Sequence, residues 1–105
     1  MGKAHTDDEV VTRIKPKLHI PEPSLYRVIY LNDEQTSFEF VIESLMTVFD
    51  HSDESAISIA GAIHEHGSAV VAVLIYELAE QKGVEVTTLA RNNGFPLRVK
   101  IEQDN

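Results

Sequence analysis

The sequence predicts an α+β domain, a two-layer α/β sandwich in which a three-stranded antiparallel sheet carries three helices on one face. Stretches rich in β-branched and aromatic residues alternate along the chain with stretches whose apolar residues recur at helical spacing, which gives the order β-α-α-β-α-β. Residues 97–102 (LRVKIE) alternate apolar and charged side chains, as expected for a half-buried strand. A chain of 105 residues can form one core of modest size.

The first strand and the first helix are predicted on either side of a short polar loop. Residues 25–31 (LYRVIYL) have the composition of a strand, and residues 32–35 form the loop. Thr36 and Glu39 then have the spacing of a capping box, which predicts that the helix begins there. Its apolar residues lie on one face: Val41, Leu45, Val48 and Phe49.

The second helix and the second strand follow directly. Ser52 or Asp53 is the expected N-cap of the helix, and Gly67 is well placed to end it. Residues 68–75 (SAVVAVLI) are almost wholly apolar, which favours a central strand covered on at least one face.

The third helix is predicted from residue 76 to about residue 92. Gly83 weakens this prediction because glycine costs about 1 kcal/mol relative to alanine within a helix. Asn93 and Gly94 end the helical pattern, and Pro96 leads into the last strand.

Residues 1–23 are predicted to form a flexible tail, and residues 24–105 the folded domain. The tail mixes both signs of charge with Pro16, Pro21 and Pro23 and shows no sustained periodicity. It has no apolar segment typical of a signal peptide, and no run in the chain approaches the length of a membrane span.

Charge and composition narrow the classes of partner. The net charge of −8 disfavours nucleic acids and anionic membranes, and favours a cationic peptide end or a basic protein surface. Because the chain has no cysteine, disulfides and thiol catalysis are excluded, and a reducing compartment fits. We find no motif for a cofactor, a catalytic triad or a phosphate-binding loop.

The main candidate site combines the acidic loop Asn32, Asp33 and Glu34 with His64. If the second helix returns antiparallel to the first, its end lies near the loop, and an amide oxygen, a carboxylate and an imidazole converge. Three acceptors suit an ammonium group, which has three donors and no acceptor. Alternatively, the loop is an Asx-turn whose charges favour the start of a helix.

A second candidate site is a metal centre built from His64, Glu65 and His66, with His51 as a third ligand. Residues two apart on a helix point to different sides, so the two histidines of this segment cannot chelate one ion there. No zinc-binding spacing supports the site either, and two surface histidines near a helix C-terminus are the simpler interpretation. We therefore expect no metal, no cofactor and no catalytic residue.

The ordered blocks "LNDEQTSFEFV", "IHEHGSAVV", "YELAEQK" and "NGFPL" resemble the ClpS family. Members of this family are adaptors that deliver N-degron substrates to a Clp-type AAA+ protease. The similarity covers residues 23–102, essentially the whole predicted domain. The C-terminal domain of a ribosomal stalk protein shares the same topology, so a non-catalytic interaction domain of that type is the structural alternative.

The resemblance implies a role for each matched position. Asn32, Asp33 and His64 would hold the free α-amino group of a substrate whose first residue is Leu, Phe, Tyr or Trp, and Glu34 would flank its backbone. The implied walls of the side-chain pocket are Leu31, Thr36, Phe38, Val41, Ala60, Ile63 and Leu97. Glu77 and Lys82 would dock on the N-domain of the ATPase.

Two pocket positions depart from the family pattern, because methionine is common where this chain has Phe38 and Ala60. The ranking among first residues, and the tolerance of Ile or Val, therefore stay open at the level of the sequence.

Overall fold

The computed structural model of the chain describes residues 23–105, so the predicted tail lies outside the described residues except for Pro23. The predicted order of strands and helices is confirmed. The elements are β1 (Leu25–Leu31), α1 (Phe38–Thr47), α2 (Asp53–His66), β2 (Ser68–Ile75), α3 (Tyr76–Asn92) and β3 (Arg98–Gln103). Both strand pairings are antiparallel, and the three helices cover one face of the sheet.

The sheet order is β2-β1-β3, which corrects one prediction. β2 is an edge strand, although its apolar sequence favoured a central position. Its outward residues Val70 and Val73 are 43% and 42% exposed, whereas Val28 and Tyr30 of the central strand β1 have no exposed surface. An apolar run indicates that a strand is partly buried. Whether the strand is central or at the edge depends on its pairing with distant segments, which local sequence does not encode.

The N-cap of α1 is Ser37 rather than Thr36, a second correction. The Ser37 hydroxyl accepts a hydrogen bond of 3.1 Å from the backbone amide of Phe40. The Thr36 side chain is instead directed to Asp33, to whose Oδ2 its hydroxyl donates at 2.7 Å. The predicted capping box therefore does not form, and the helix begins one residue later than expected.

The two ends of α2 match the sequence predictions. Ser52 caps its start by accepting from the amide of Ser55, and Gly67 ends it in a left-handed conformation with φ of 89°. The carbonyl of Gly67 accepts a hydrogen bond of 2.9 Å from the backbone amide of Asn32. This bond ties the end of α2 to the loop that follows β1, and so brings the two predicted parts of the site together.

A buried polar contact joins the sheet to α1. The hydroxyl of Ser44 donates to the carbonyl of Val41 at 2.9 Å, so the hydroxyl of Tyr30, 2.8 Å away, is the donor to Ser44. Burial raises the pKa of Tyr30 above its usual value although the Ser44 bond acts in the opposite direction. The tyrosine is therefore neutral at physiological pH and acts as a core residue.

Candidate functional site

The predicted binding residues converge on one cavity, where the end of β1, the start of α1 and the end of α2 meet. The cavity has a volume of about 290 Å³. Its lining residues are Asn32, Asp33, Glu34, Thr36, Phe38, Val41, Ala60, Ile63 and His64. The antiparallel return of α2 therefore does bring His64 back to the acidic loop.

Leu31 and Leu97 are the two predicted pocket residues that do not line this cavity. Leu97 is 1% exposed and belongs to the hydrophobic core. Leu31 is half-buried at the end of β1, where it pairs with Arg98 of β3. Neither side chain forms part of the cavity surface.

Asp33 is held rigidly by its own loop. Its Oδ1 accepts from the backbone amides of Gln35 (2.8 Å) and Thr36 (2.6 Å), and its Oδ2 accepts from the Thr36 hydroxyl. Desolvation raises its pKa, but these hydrogen bonds and the charge of Arg98 outweigh it and hold the pKa below the usual value. The Asx-turn interpretation is thus correct, and it leaves a fixed, ionised carboxylate at the cavity.

The mouth of the cavity is polar and its floor is apolar. The side chains of Asn32, Glu34 and His64 are exposed, and with Asp33 they place several acceptors at one rim. The floor is formed by side chains that are nearly inaccessible: Val41 (8% exposed), Ala60 (2%) and Ile63 (3%). Such a site suits a cationic group attached to an apolar one.

Phe38 lies beside this floor but differs from it in exposure. It is the first residue of α1, it lines the cavity, and 44% of its surface is exposed. Large exposed aromatic rings are costly in water, so an apolar ligand in the cavity would cover part of this ring. Phe38 therefore forms a side wall that a ligand can use.

The histidines of the alternative metal site are separated. Within residues 23–105, no group of three or more His, Asp or Glu side chains is arranged to hold a metal ion. His51 lies in the loop before α2, where Nε2 donates to the carbonyl of Val71 at 2.7 Å and Nδ1 is 3.1 Å from the hydroxyl of Ser55. His51 therefore connects two structural elements.

A second groove adjoins the cavity and was not predicted. It has a volume of about 600 Å³ and is lined by Asn32, Asp33, Glu34, Gln35 and Pro96. The first three residues are shared with the cavity. No motif in the sequence marked Gln35 or Pro96 as site residues. They line the groove because the segment before β3 approaches the loop.

The two predicted docking residues lie on α3, away from the cavity. Glu77 is exposed in the first turn, and the Nζ atom of Lys82 lies 4.0 Å from Oε1 of Glu85. Five residues of helix separate them, so their side chains point in directions about 140° apart. They could flank a common partner but do not form one patch.

The fold and the site together define a small α+β domain with a polar mouth over an apolar cavity. Residues 21–100 match the family model of the ATP-dependent Clp protease adaptor protein ClpS. The chain belongs to this family.

Related proteins support the assignment. The chain is 45% identical to the ATP-dependent Clp protease adapter protein ClpS of Nautilia profundicola, over 88% of this chain and 95% of that one. It is 42% identical to the protein of the same name from Treponema denticola, over 78% of this chain and 81% of that one. The solved structure of Agrobacterium tumefaciens ClpS2 bound to L-phenylalaninamide matches with a TM-score of 0.76 and 40% identity, over 79% of this chain and 100% of that chain.

The family match favours the adaptor over the ribosomal-stalk alternative, which shares only the topology. Among the described residues, no helix is both long enough and apolar enough to cross a membrane.

Proposed function

We propose that this chain is an adaptor that binds the free α-amino group and the bulky apolar first side chain of substrate proteins and delivers them to a Clp AAA+ protease. The observation that carries the proposal is the single cavity in which Asn32, Asp33 and His64 stand at the mouth and Val41, Ala60 and Ile63 form the floor. L-Phenylalaninamide, the ligand of the Agrobacterium relative, has this pair of groups, a free α-amine and an apolar side chain.

The α-amine is recognised by hydrogen bonds and charge. An α-amino group with a pKa of about 7.7–8.0 is largely cationic at neutral pH. Asp33 supplies a carboxylate that its loop already orients, so little conformational entropy is lost when the amine binds. The exposed side chains of Asn32 and His64 complete the set of three acceptors, and Glu34 flanks the backbone that follows.

The first side chain of the substrate enters the apolar floor. Burying a leucine or phenylalanine side chain there contributes roughly 1.5–3 kcal/mol. The cavity of about 290 Å³ admits large side chains, so the proposed substrates begin with Leu, Phe, Tyr or Trp. Charged first residues should bind poorly, because their charge would lose its hydration against the apolar floor formed by Val41, Ala60 and Ile63.

Delivery requires a second surface and a segment that the unfoldase can engage. Glu77 and Lys82 on α3 are the proposed contacts with the N-domain of the Clp ATPase, and residues 1–23 are the proposed flexible segment for handover. The proposal places this activity in the bacterial cytoplasm, as the bacterial relatives and the lack of cysteine favour. The chain itself binds and transfers substrates without catalysing a reaction.

A degradation assay tests the whole proposal. A fluorescent reporter that begins with Phe is incubated with a Clp ATPase and its peptidase, with and without this chain. We expect degradation to depend on the chain and to be blocked by an excess of free L-phenylalaninamide. A reporter that begins with Met or Asp is the control. Equal degradation rates with and without the chain would contradict the proposal.

A further inference from the structure

The groove beside the cavity is the path that a bound peptide would follow after its first residue. This inference rests on the proposed function. The groove and the cavity share Asn32, Asp33 and Glu34, whereas the remaining walls of the cavity come from Thr36, α1 and α2. With the first side chain in the cavity and the α-amine at its mouth, the backbone leaves between the acidic loop and Pro96.

Arg98 stands beside this path. It is the first residue of β3, two residues after Pro96, and its cross-strand partner is Leu31, which directly precedes Asn32. Its side chain is exposed, and its charge acts on the carboxylate of Asp33. The guanidinium therefore lies at the same end of the sheet as the acidic loop.

Arg98 also differs from the other cations of the described domain. Arg27 and Lys100 pair with Glu102, Lys82 pairs with Glu85, and Arg91 donates to the carbonyls of Phe95 and Leu97. Among the five Lys and Arg side chains of residues 23–105, Arg98 is the one that makes neither a hydrogen bond nor an ion pair with a described residue. As far as residues 23–105 are concerned, its donors are free for a ligand.

We propose that Arg98 is a substrate-binding residue that pairs with a carboxylate at the second, third or fourth residue of the bound peptide. An extended peptide advances about 3.3 Å per residue, so these positions span about 10 Å beyond the amine site. Asp33 and Glu34 would repel an acidic side chain in this groove, and the guanidinium offsets that repulsion. Arg98 thereby sets the charge preference of the groove.

Peptide titrations test the pairing. Leu-led peptides with Gln at positions two to four are compared with peptides that carry one Glu at each of these positions. For the best Glu peptide, we expect Arg98→Gln to weaken binding by about twofold to fivefold, as for an exposed ion pair. The affinity of the all-Gln peptide stays the same, and the Glu effect shrinks between about 50 mM and 500 mM salt.

Lys100→Gln is the matched control, because it removes a positive charge from the same strand at a side chain already paired with Glu102. It should leave both peptides unaffected. Equal weakening of the Glu and Gln peptides by Arg98→Gln, or no weakening of either, overturns the pairing while the amine site stands. If the wild-type chain binds no Leu-led peptide at all, the proposed function fails and the pairing fails with it.

Discussion

Asn32 is positioned by its backbone, so its side chain can be removed without disturbing the loop. Its amide donates to the carbonyl of Gly67 at 2.9 Å whatever the side chain is. We expect Asn32→Ala to leave the melting temperature unchanged and to weaken a Leu-led peptide roughly tenfold to a hundredfold, since a hydrogen bond to a charged group contributes about 1.5–3 kcal/mol. Thermal denaturation and fluorescence anisotropy measure the two effects. Unchanged affinity would show that the Asn32 side chain does not bind the peptide.

Asp33 is a less selective position for the same test. Its carboxylate accepts three hydrogen bonds from Gln35 and Thr36, so Asp33→Ala should lower stability and affinity together. Because its pKa is lowered in the folded state, the carboxylate contributes stability above its unfolded pKa of about 3.9, and this stability is lost as the pH falls through the folded value. The loop should therefore stay intact in mildly acidic solution.

Ala60 sets the width of the cavity floor. A methionine there would add several heavy atoms to a wall that is 2% exposed. We expect Ala60→Met to weaken Trp- and Tyr-led peptides about tenfold more than Leu-led ones and to suppress any binding of Ile or Val, since one methylene is worth about 1–3 kcal/mol in such pockets. Titration of all six peptides measures the ranking.

Ala62→Met is the control for that substitution, because Ala62 lies on the same helix but does not line the cavity. It should preserve the ranking of first residues. An unchanged ranking in Ala60→Met as well would show that Ala60 does not contact the first side chain.

For single helices and strands, the sequence predicted best those bounds that are set by neighbouring residues. The bounds of α2 follow from Ser52 and Gly67, whose capping roles need only neighbouring backbone groups. The prediction from sequence failed where two residues compete for one capping role, and where segments distant in the sequence pair as strands. Thr36 and Ser37 are both competent caps, and the bond from Thr36 to Asp33 decides between them. The edge position of β2 depends on β1 pairing with β3.

The helix α3 contains a glycine that helix propensity disfavours. Gly83 is buried, and an added Cβ atom would lie 3.6 Å from Cδ1 of Ile101, which is ordinary contact. We therefore expect Gly83→Ala to raise the free energy of unfolding by about 0.5–1 kcal/mol, as helix propensity implies. Chemical denaturation measures the change.

Gly94→Ala is the opposite case, because Gly94 has φ of 80°, which an alanine adopts only with strain. This control should lower the free energy of unfolding. A destabilising Gly83→Ala would mean that α3 and β3 pack too tightly at this point to accept a methyl group.

The net charge of the whole molecule comes from residues 23–105. The four acidic residues of the first 22 (Asp7, Asp8, Glu9, Glu22) balance the four basic ones (Lys3, Arg13, Lys15, Lys17), so the net charge of −8 belongs to residues 23–105. A field of this sign attracts a cationic α-amine and accelerates its encounter with the site. The net charge alone predicted a cationic ligand, and the family resemblance predicted that this ligand is a free α-amino group.

The arrangement of the site could be predicted only in part, because some of its residues come from segments that are distant in the sequence. The pocket residues that the resemblance implied on α1 and α2 do line the cavity together with residues of the loop. Leu97 and Pro96 come from the far end of the chain, and which of the two faces the ligand depends on how β3 meets β1. That pairing buried Leu97 and exposed the groove at Pro96 instead.

The central claim is that a cationic α-amine is recognised, and calorimetric titration with one Phe-led peptide tests it most directly. The peptide is used free and N-acetylated at pH about 7, and free again at pH about 9.5, where an amine of pKa about 7.7–8.0 has lost its proton. We expect binding of the free peptide, no measurable binding of the acetylated one, and a loss of more than about tenfold in affinity at the higher pH. Equal affinity for the free and acetylated peptides would contradict it.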